Sequence, residues 1–247
     1  MEIRTFGGGG RLLECERILS ERLADRDGRA FLLPIPTARD NKYITGTKVA
    51  ALELLPMLDS KAFVIGYNIP RDILREADVV GAKVYDAGAD ERFLIANAEL
   101  TARGTVGYIL THLMRDPADM SVGVVGYGRI GIRVIRWLLM LGSRITLYTT
   151  RSEIAIKLCS AGISASVIGE GCDFSGIDLL INTAPARQIS EKDLPPHTQI
   201  IDLASGCSFD PSPRVTKLAS IPDAMYPLTA GRLYAESAIA YLCGECR

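Results

Sequence analysis

Histidine is scarce in this sequence, and it lacks long apolar runs and blocks of one charge. The 247 residues include only two histidines, with 28 lysines and arginines against 29 aspartates and glutamates. This balance, without a basic block, argues against nucleic acid or an anionic membrane as the main partner. No apolar run approaches the ~20 residues that span a bilayer. The N-terminus has no basic segment followed by an apolar one, so we expect a cytoplasmic protein.

The six cysteines and two histidines offer no evident metal site. Cys243 and Cys246 form the closest cysteine pair, and zinc would need a second Cys or His pair that does not stand out. We therefore expect reduced thiols and no bound metal. A hydroxy-acid dehydrogenase would need a histidine acid/base backed by an acid, and an arginine that clamps the carboxylate. We expect His112 and His197 to be structural, which argues against simple 2-hydroxy-acid reduction.

The most informative stretch is an apolar strand that runs into G-x-G-x-x-G and then an amphipathic helix. Gly126 makes the turn, Gly128 allows backbone to approach a pyrophosphate, and Gly131 allows the helix to pack on the strand. A second strand over 144–148 completes a βαβ unit. The stretch predicts a dinucleotide loop, and a glycine-rich turn that binds nothing is the alternative. Its candidate cofactor-binding residues are Gly126, Tyr127, Gly128, Arg129, Ile130 and Gly131.

The end of that second strand indicates which dinucleotide is bound. An acidic residue there would bond the ribose 2′-OH of NAD, whereas arginine and hydroxyls accept the 2′-phosphate of NADP. The strand is followed by Thr150, Arg151 and Ser152, with no acid before Glu153. We expect Glu153 in the first turn of the next helix. The sequence therefore predicts NADP rather than NAD.

Two later strands also end in polar residues. Asn182 and Thr183 follow one, and we expect them to face the ribose or nicotinamide of the cofactor. Ser205 follows the other, beyond Asp202, where a hydroxy-acid dehydrogenase would need its arginine. The alternative is that these residues only cap helices.

The first 96 residues predict another α/β domain, which includes a helix over 48–57 and a further strand at Phe93-Leu94-Ile95. After it we expect a bridging helix over 97–115 and a dinucleotide-binding domain over 116–231. A last helix, 232–243, is expected to pack back on the first domain. The predicted fold is α/β, with two Rossmann-like domains of parallel sheet and a cleft between them.

Within the first domain, a polar loop over 37–47 follows a buried strand. Ligands of open α/β sheets lie outside the carboxyl ends of strands, so this loop is a substrate-site candidate, with a solvated loop as the alternative. The glycines of 7–10 open another helix. They could accept a substrate carboxylate or form only a tight turn. The candidate substrate-binding residues of the loop are Thr37, Arg39, Lys42, Thr45, Gly46 and Thr47.

Several segments together resemble one family, the A chain of dipicolinate synthase, a two-domain protein of spore-forming bacteria. In build this family is similar to hydroxy-acid dehydrogenases and S-adenosylhomocysteine hydrolase. The sequence departs from the family pattern after Ser205, where Gly206-Cys207-Ser208 replaces a proline–glycine–glycine stretch. The matching segments run in the same order along the sequence: 7–19, 33–37, 45–46, 95–105, 126–131, 151–152, 181–185, 201–205 and 229–231.

The resemblance implies a role in sporulation. It implies oxidation of a cyclic lysine-pathway intermediate to pyridine-2,6-dicarboxylate, with NADP(H) and a flavoprotein partner. We therefore expect an NADP-dependent oxidoreductase of a small cyclic dicarboxylate, assembled as a homo-oligomer. Ser205 and Lys42 are the candidate catalytic residues, and Arg39 or Lys42 would pair with substrate carboxylates. The alternative is a non-catalytic NADP-binding protein with a sensing or partner-binding role.

Overall fold

The computed structural model describes residues 1–40, 42–169, 172–185, 188–206 and 208–244. Cys207 and Cys246, named in the sequence analysis, lie outside these ranges. The chain divides into two compact units. The first unit holds Met1–Asn97 together with the segment that begins at Pro222, and the second holds Ala98–Ile221.

The first unit is built on a four-stranded sheet of order β1-β2-β3-β4, in which every neighbouring pair is parallel. The helix predicted over 48–57 is a 3-10 helix that contains Pro56. The strands and helices of this part are β1 Glu2–Thr5, α1 Gly10–Arg22, β2 Arg29–Leu32, the 3-10 helix Ala51–Met57, β3 Ala62–Gly66, α2 Arg71–Val80 and β4 Lys83–Asp86.

Both faces of this sheet are buried, which explains the continuous apolar runs of its strands. Successive side chains of a strand point to opposite faces. Along β2, Ala30 and Leu32 therefore share one cluster with Leu12 of α1. Phe31 belongs to a second cluster, which includes Ile73 of α2.

A long helix, α3 Glu91–His112, follows the sheet. It shows that the strand predicted at Phe93-Leu94-Ile95 is wrong and that the helix predicted over 97–115 begins six residues too late. The side chain of Asp90 explains the early start, since it accepts hydrogen bonds from the backbone N–H groups of Arg92 (2.9 Å) and Phe93 (3.2 Å). Such a carboxylate caps the free N–H groups at the beginning of a helix.

The second unit contains a six-stranded parallel sheet of order β7-β6-β5-β8-β9-β10. This is the strand order of a doubly wound dinucleotide fold, with the topological switch between β5 and β8. The predicted fold class, α/β with two Rossmann-like parallel sheets, is confirmed. The elements are β5 Ser121–Val125, α4 Arg129–Met140, β6 Arg144–Thr149, α5 Ser152–Ser160, β7 Ser164–Val167, β8 Leu179–Asn182, β9 Gln199–Asp202 and β10 Val215–Lys217.

Two helices close the chain, α6 Ile221–Met225 and α7 Pro227–Cys243. Helix α7 begins five residues before the predicted start at 232, with Pro227 in the first turn, where a missing N–H costs nothing. It packs on α1. The two backbones approach closely at Gly231, where an added Cβ would lie 2.6 Å from the carbonyl oxygen of Arg11. No helix in the described ranges is long and apolar enough to cross a membrane.

Candidate functional site

The glycine loop between β5 and α4 needs glycine at its first and third positions. Gly126 has a φ of +93°, a conformation that L-residues rarely adopt, and its N–H donates to the carbonyl oxygen of Tyr148 (2.9 Å). A Cβ added at Gly131 would lie 2.2 Å from the carbonyl oxygen of Gly126. Gly126 is therefore required by its backbone conformation, and Gly131 by its close approach to the backbone of Gly126.

The middle glycine has a different environment. No described atom lies within 4 Å of a Cβ added at Gly128, which is exposed at the beginning of α4. Within the described part of the chain, no side chain caps α4, and its first turn holds no acidic residue. The free N–H groups and the helix dipole consequently offer a positive, accessible end. This is the open space that a pyrophosphate needs.

The end of β6 lies next to this loop. The Nη2 atom of Arg151 donates to the carbonyl oxygen of Tyr127 at 3.0 Å. Thr150, Arg151 and Ser152 are all exposed, and α5 begins at Ser152. Glu153 lies in the first turn of α5, as the sequence predicts. The Arg151 guanidinium at this strand end thus borders the glycine loop.

Asn182 is the last residue of β8 and Thr183 follows it, and both side chains form hydrogen bonds within the protein. Asn182 is 2% exposed, and its Nδ2 donates to Oδ1 of Asp202 (2.8 Å). The Thr183 hydroxyl donates to the carbonyl oxygen of Val125 at 2.8 Å. These residues therefore support the loops at the carboxyl edge of the sheet.

A lysine that the sequence analysis did not single out joins this edge. The Nζ atom of Lys217 lies 2.6 Å from Oδ2 of Asp202, whose side chain is 2% exposed. Lys217 also donates to the carbonyl oxygens of Ala204 and Gly206, the neighbours of exposed Ser205. Because β10 contains only three residues, one of them apolar, its pattern was too short to predict a strand.

The loop over 37–47 in the first unit borders a cavity of about 460 Å³ that is open to solvent and lined by Arg39, Asp40, Tyr43, Thr45 and Gly46. Arg39 is exposed, and the Thr45 hydroxyl is buried with no hydrogen-bond partner among the described residues. The N–H groups of Tyr43 and Lys42 bond the Asp40 carboxylate and hold its pKa below the usual value. This cavity therefore combines one cation, one persistent anion and one unused hydroxyl.

Three other predicted substrate residues do not line this cavity. The Thr37 hydroxyl accepts a hydrogen bond from the N–H of Tyr67 (2.9 Å), and the Thr47 hydroxyl donates to the carbonyl oxygen of Ile44 (2.9 Å). Both hydroxyls hold the loop in shape. The ammonium group of Lys42 lies 5.3 Å from the centre of the Tyr43 ring.

Helix α1, which follows the glycine-rich turn, contains a buried cation that sequence reasoning missed. Arg11, in the first turn of α1, is 3% exposed, and its Nη2 donates to Oδ1 of Asn97 at 3.3 Å. Burial lowers the pKa of Arg11. Burial also raises the pKa of its ion-pair partner Asp223, and the positive charge of Arg11 opposes that rise. A lone arginine after four glycines gave no sign of burial, since its partners come from distant segments.

The histidines lie away from the glycine loop of the second unit. His112 is exposed at the end of α3, where its ring stacks on Tyr108 with 4.1 Å between centroids. His197 precedes β9, at the amino edge of the sheet, whereas the loop is at the carboxyl edge. Within the described residues, no group of three or more His, Cys, Asp or Glu side chains could hold a metal ion.

No family model and no curated protein matches this sequence. Solved structures do match it. The A chain of dipicolinate synthase from Bacillus halodurans has a TM-score of 0.77 at 20% identity, over 98% of this chain and 97% of that one. The A chain of dipicolinate synthase from Bacillus subtilis has a TM-score of 0.75 at 19% identity, over 99% and 96%.

Dehydrogenases share the fold more distantly. The D-isomer specific 2-hydroxyacid dehydrogenase from Lactobacillus delbrueckii ssp. bulgaricus, in its NAD-complexed form, has a TM-score of 0.53 at 11% identity, over 99% of this chain and 98% of that one. The resemblance expected from the sequence is thus confirmed at the level of the fold: this protein is built like the A chain of dipicolinate synthase.

Proposed function

We propose that this protein is an oxidoreductase that binds NADP in its second unit and a small ring dicarboxylate in its first. The observation that carries the proposal is the environment of Gly128. It leaves open space at the uncapped, positive end of α4, while Gly126 and Gly131 are confined by packing. Such an arrangement suits a pyrophosphate.

The preference for NADP over NAD is supported by Arg151. Its exposed guanidinium borders the glycine loop, and the exposed hydroxyls of Thr150 and Ser152 flank it. A guanidinium can donate two parallel hydrogen bonds to a phosphate group. An acid that would instead bond a ribose 2′-OH is missing from the end of β6, since Glu153 belongs to α5.

The cavity of loop 37–47 supports a small anionic substrate. Arg39 would pair with one carboxylate, and the unused Thr45 hydroxyl would donate to it. Lys42 is proposed at the second carboxylate, and Ser205 near the reacting carbon. The cofactor, when bound, supplies hydride transfer. The residues of the chain bind and orient cofactor and substrate.

The proposal extends to the flavoprotein partner that the resemblance implies, to a homo-oligomer and to a cytoplasmic location. Its support is the fold shared with the A chain of dipicolinate synthase.

The direct test combines cofactor titration with thermal unfolding. NADPH fluorescence is followed as protein is added, and dipicolinate is then added to the NADPH-loaded protein during a melt. We expect NADPH to bind more tightly than NADH. Dipicolinate at a hundred times its dissociation constant should add about 2.7 kcal/mol of stability. Failure to bind NADPH would refute the proposal.

One observation favours a second candidate function. Because neither histidine lies beside the glycine loop, a histidine–acid pair for proton transfer is missing from the described part of that edge. The chain would then be a non-catalytic NADP-binding protein with a sensing or partner-binding role. In that case NADPH would bind, and no ring dicarboxylate would protect the loaded protein.

A further inference from the structure

The ammonium group of Lys217 donates three hydrogen bonds at the carboxyl edge of the second sheet. It donates to Oδ2 of Asp202 (2.6 Å), to the carbonyl oxygen of Gly206 (2.8 Å) and to the carbonyl oxygen of Ala204. A charged lysine has three N–H donors and no acceptor. All three donors are used, so Lys217 is suited to holding backbone in place and unsuited to accepting a proton.

Asp202 is the buried counterpart of this lysine. It is the last residue of β9 and is 2% exposed. Its Oδ1 accepts from Nδ2 of Asn182 (2.8 Å) and from the N–H of Ala204 (3.1 Å), while Oδ2 accepts from Lys217. A buried carboxylate is tolerated when it is paired and hydrogen-bonded in this way.

The same network reaches the glycine loop. Asn182 is followed by Thr183, whose hydroxyl donates to the carbonyl oxygen of Val125 and would lie 2.9 Å from a Cβ added at Gly126. Strands β5, β8 and β9 are consecutive in the sheet. The turn at 204–206 therefore lies on the β8–β9 side of the glycine loop, and Arg151 lies on the β6 side.

We propose that Lys217 is a positioning residue that holds the 204–206 turn in the shape required by the nicotinamide end of the cofactor. This inference rests on the proposed binding of NADP. A dinucleotide whose pyrophosphate lies at Gly128 and whose 2′-phosphate lies at Arg151 must extend its other half across the switch between β5 and β8. Lys217 holds the carbonyl groups of Ala204 and Gly206. The exposed residues Ser205 and Gly206 are then the surface that the nicotinamide half of the cofactor contacts.

The test compares NADPH with adenosine 2′,5′-bisphosphate, which carries the 2′-phosphate and lacks the nicotinamide. The variant is Lys217→Met combined with Asp202→Asn, so that no buried carboxylate is left unpaired. Lys157→Met, an exposed lysine of α5, is the control for lost charge. We expect the double variant to lose at least tenfold in NADPH affinity and to keep its affinity for the bisphosphate within twofold.

Should the double variant fail to fold, Lys217→Arg keeps a cation beside Asp202 while changing the geometry of the clamp. It is expected to show the same selective loss. Equal affinity of wild type and folded variant for NADPH would overturn the inference, because Lys217 would then only neutralise Asp202. Equal loss for both ligands would overturn it too, as a general loss of structure. Absence of NADPH binding to the wild type would instead overturn the proposed function.

Discussion

The Nε atom of Arg11 lies 3.1 Å from a carboxylate oxygen of Asp223, in an ion pair whose arginine is only 3% exposed. Arg11 belongs to the first turn of α1, where the helix dipole disfavours a cation. Asp223 comes from the segment that begins at Pro222, within the same unit. The pair therefore joins the two separate stretches of chain that form the first unit, beside the close contact of Arg11 with Gly231.

Breaking this pair from either side should destabilise the protein. Among the described residues, Asp223→Ala leaves a buried guanidinium with one hydrogen bond, to Asn97, and removing one partner of a buried pair costs about 3–5 kcal/mol. Because Asp223 is 36% exposed, we expect the lower end of that range. Arg11→Met with Asp223→Ala should recover most of the loss, because neither charge is then left unpaired. Urea unfolding at pH 7 of wild type, both single variants and the double variant measures the coupling, and additive losses would contradict it.

The same pair predicts a pH dependence. Burial raises the pKa of Asp223, and Arg11 opposes that rise, so Arg11→Met should raise this pKa further. A carboxyl whose folded pKa exceeds its unfolded value of about 3.9 favours folding below that value. This contribution is lost as the pH rises through the folded pKa. The deficit of Arg11→Met should thus be larger at pH 7 than at pH 4, and a deficit independent of pH would refute the assignment.

Gly128 and Gly131, two of the three glycines of the loop, should respond in opposite ways to substitution. Gly128→Val adds its side chain to open space, so the melting temperature should stay near that of wild type while NADPH binding is lost. Gly131→Ala places a Cβ 2.2 Å from the carbonyl oxygen of Gly126 and should lower the melting temperature. Thermal melts and NADPH fluorescence titrations of both variants separate the two effects. Wild-type NADPH affinity in a folded Gly128→Val variant would refute the pyrophosphate site.

The turn from β5 into α4 at the glycine loop was predictable because the pattern that specifies it is local. Gly126, Gly128 and Gly131 each have a steric task that depends on positions within six residues of one another, and the flanking periodicity of strand and helix confirms the context. The alternation of strands and helices gave the fold class for the same reason. The strand predicted at 93–95 failed because three apolar residues suit either element, and the deciding contact was the capping carboxylate of Asp90.

The parts of the site that sequence missed depend on contacts between distant residues. Lys217 ends a strand of three residues, and its role becomes visible only through its ion pair with Asp202, 15 positions earlier. Arg11 pairs with Asp223 from the other end of the chain. The hydroxyls of Thr37 and Thr47 bond within their own unit, which the sequence did not indicate. A polar residue in a promising loop thus does not reveal whether its hydrogen bonds are already used.

Arg151 should determine the preference for NADPH over NADH. Charge-assisted hydrogen bonds to a 2′-phosphate contribute about 1.5–3 kcal/mol, which corresponds to roughly tenfold to a hundredfold in affinity. Arg151→Ala should therefore remove most of the preference, while Arg151→Lys should keep part of it as a point charge. Arg136→Ala, an exposed arginine of α4, is the control for charge. Titration with both cofactors checks the expectation, and a wild type that prefers NADH would contradict it.

Arg39 should be the main cation that binds dipicolinate in the cavity of loop 37–47. A dicarboxylate bound there must have its charge paired, and Arg39 lines the cavity whereas Lys42 does not. We expect Arg39→Ala to abolish the protection of NADPH-loaded protein by dipicolinate, with Arg75→Ala on α2 as the control and a smaller effect for Lys42→Ala. The NADPH-induced shift in melting temperature should stay unchanged in all three variants.

Asp40, the acidic residue of the same cavity, should weaken the binding of a dicarboxylate. Its carboxylate faces the space that a dianion would occupy, and the N–H groups of Tyr43 and Lys42 keep its pKa low, so it stays charged at neutral pH. Asp40→Asn removes this like charge and preserves the oxygen that accepts both N–H bonds. Dipicolinate should then bind more tightly, by a factor that shrinks as salt is added, because the repulsion is screened in solvent. Weaker binding to a folded Asp40→Asn variant would place the dicarboxylate elsewhere.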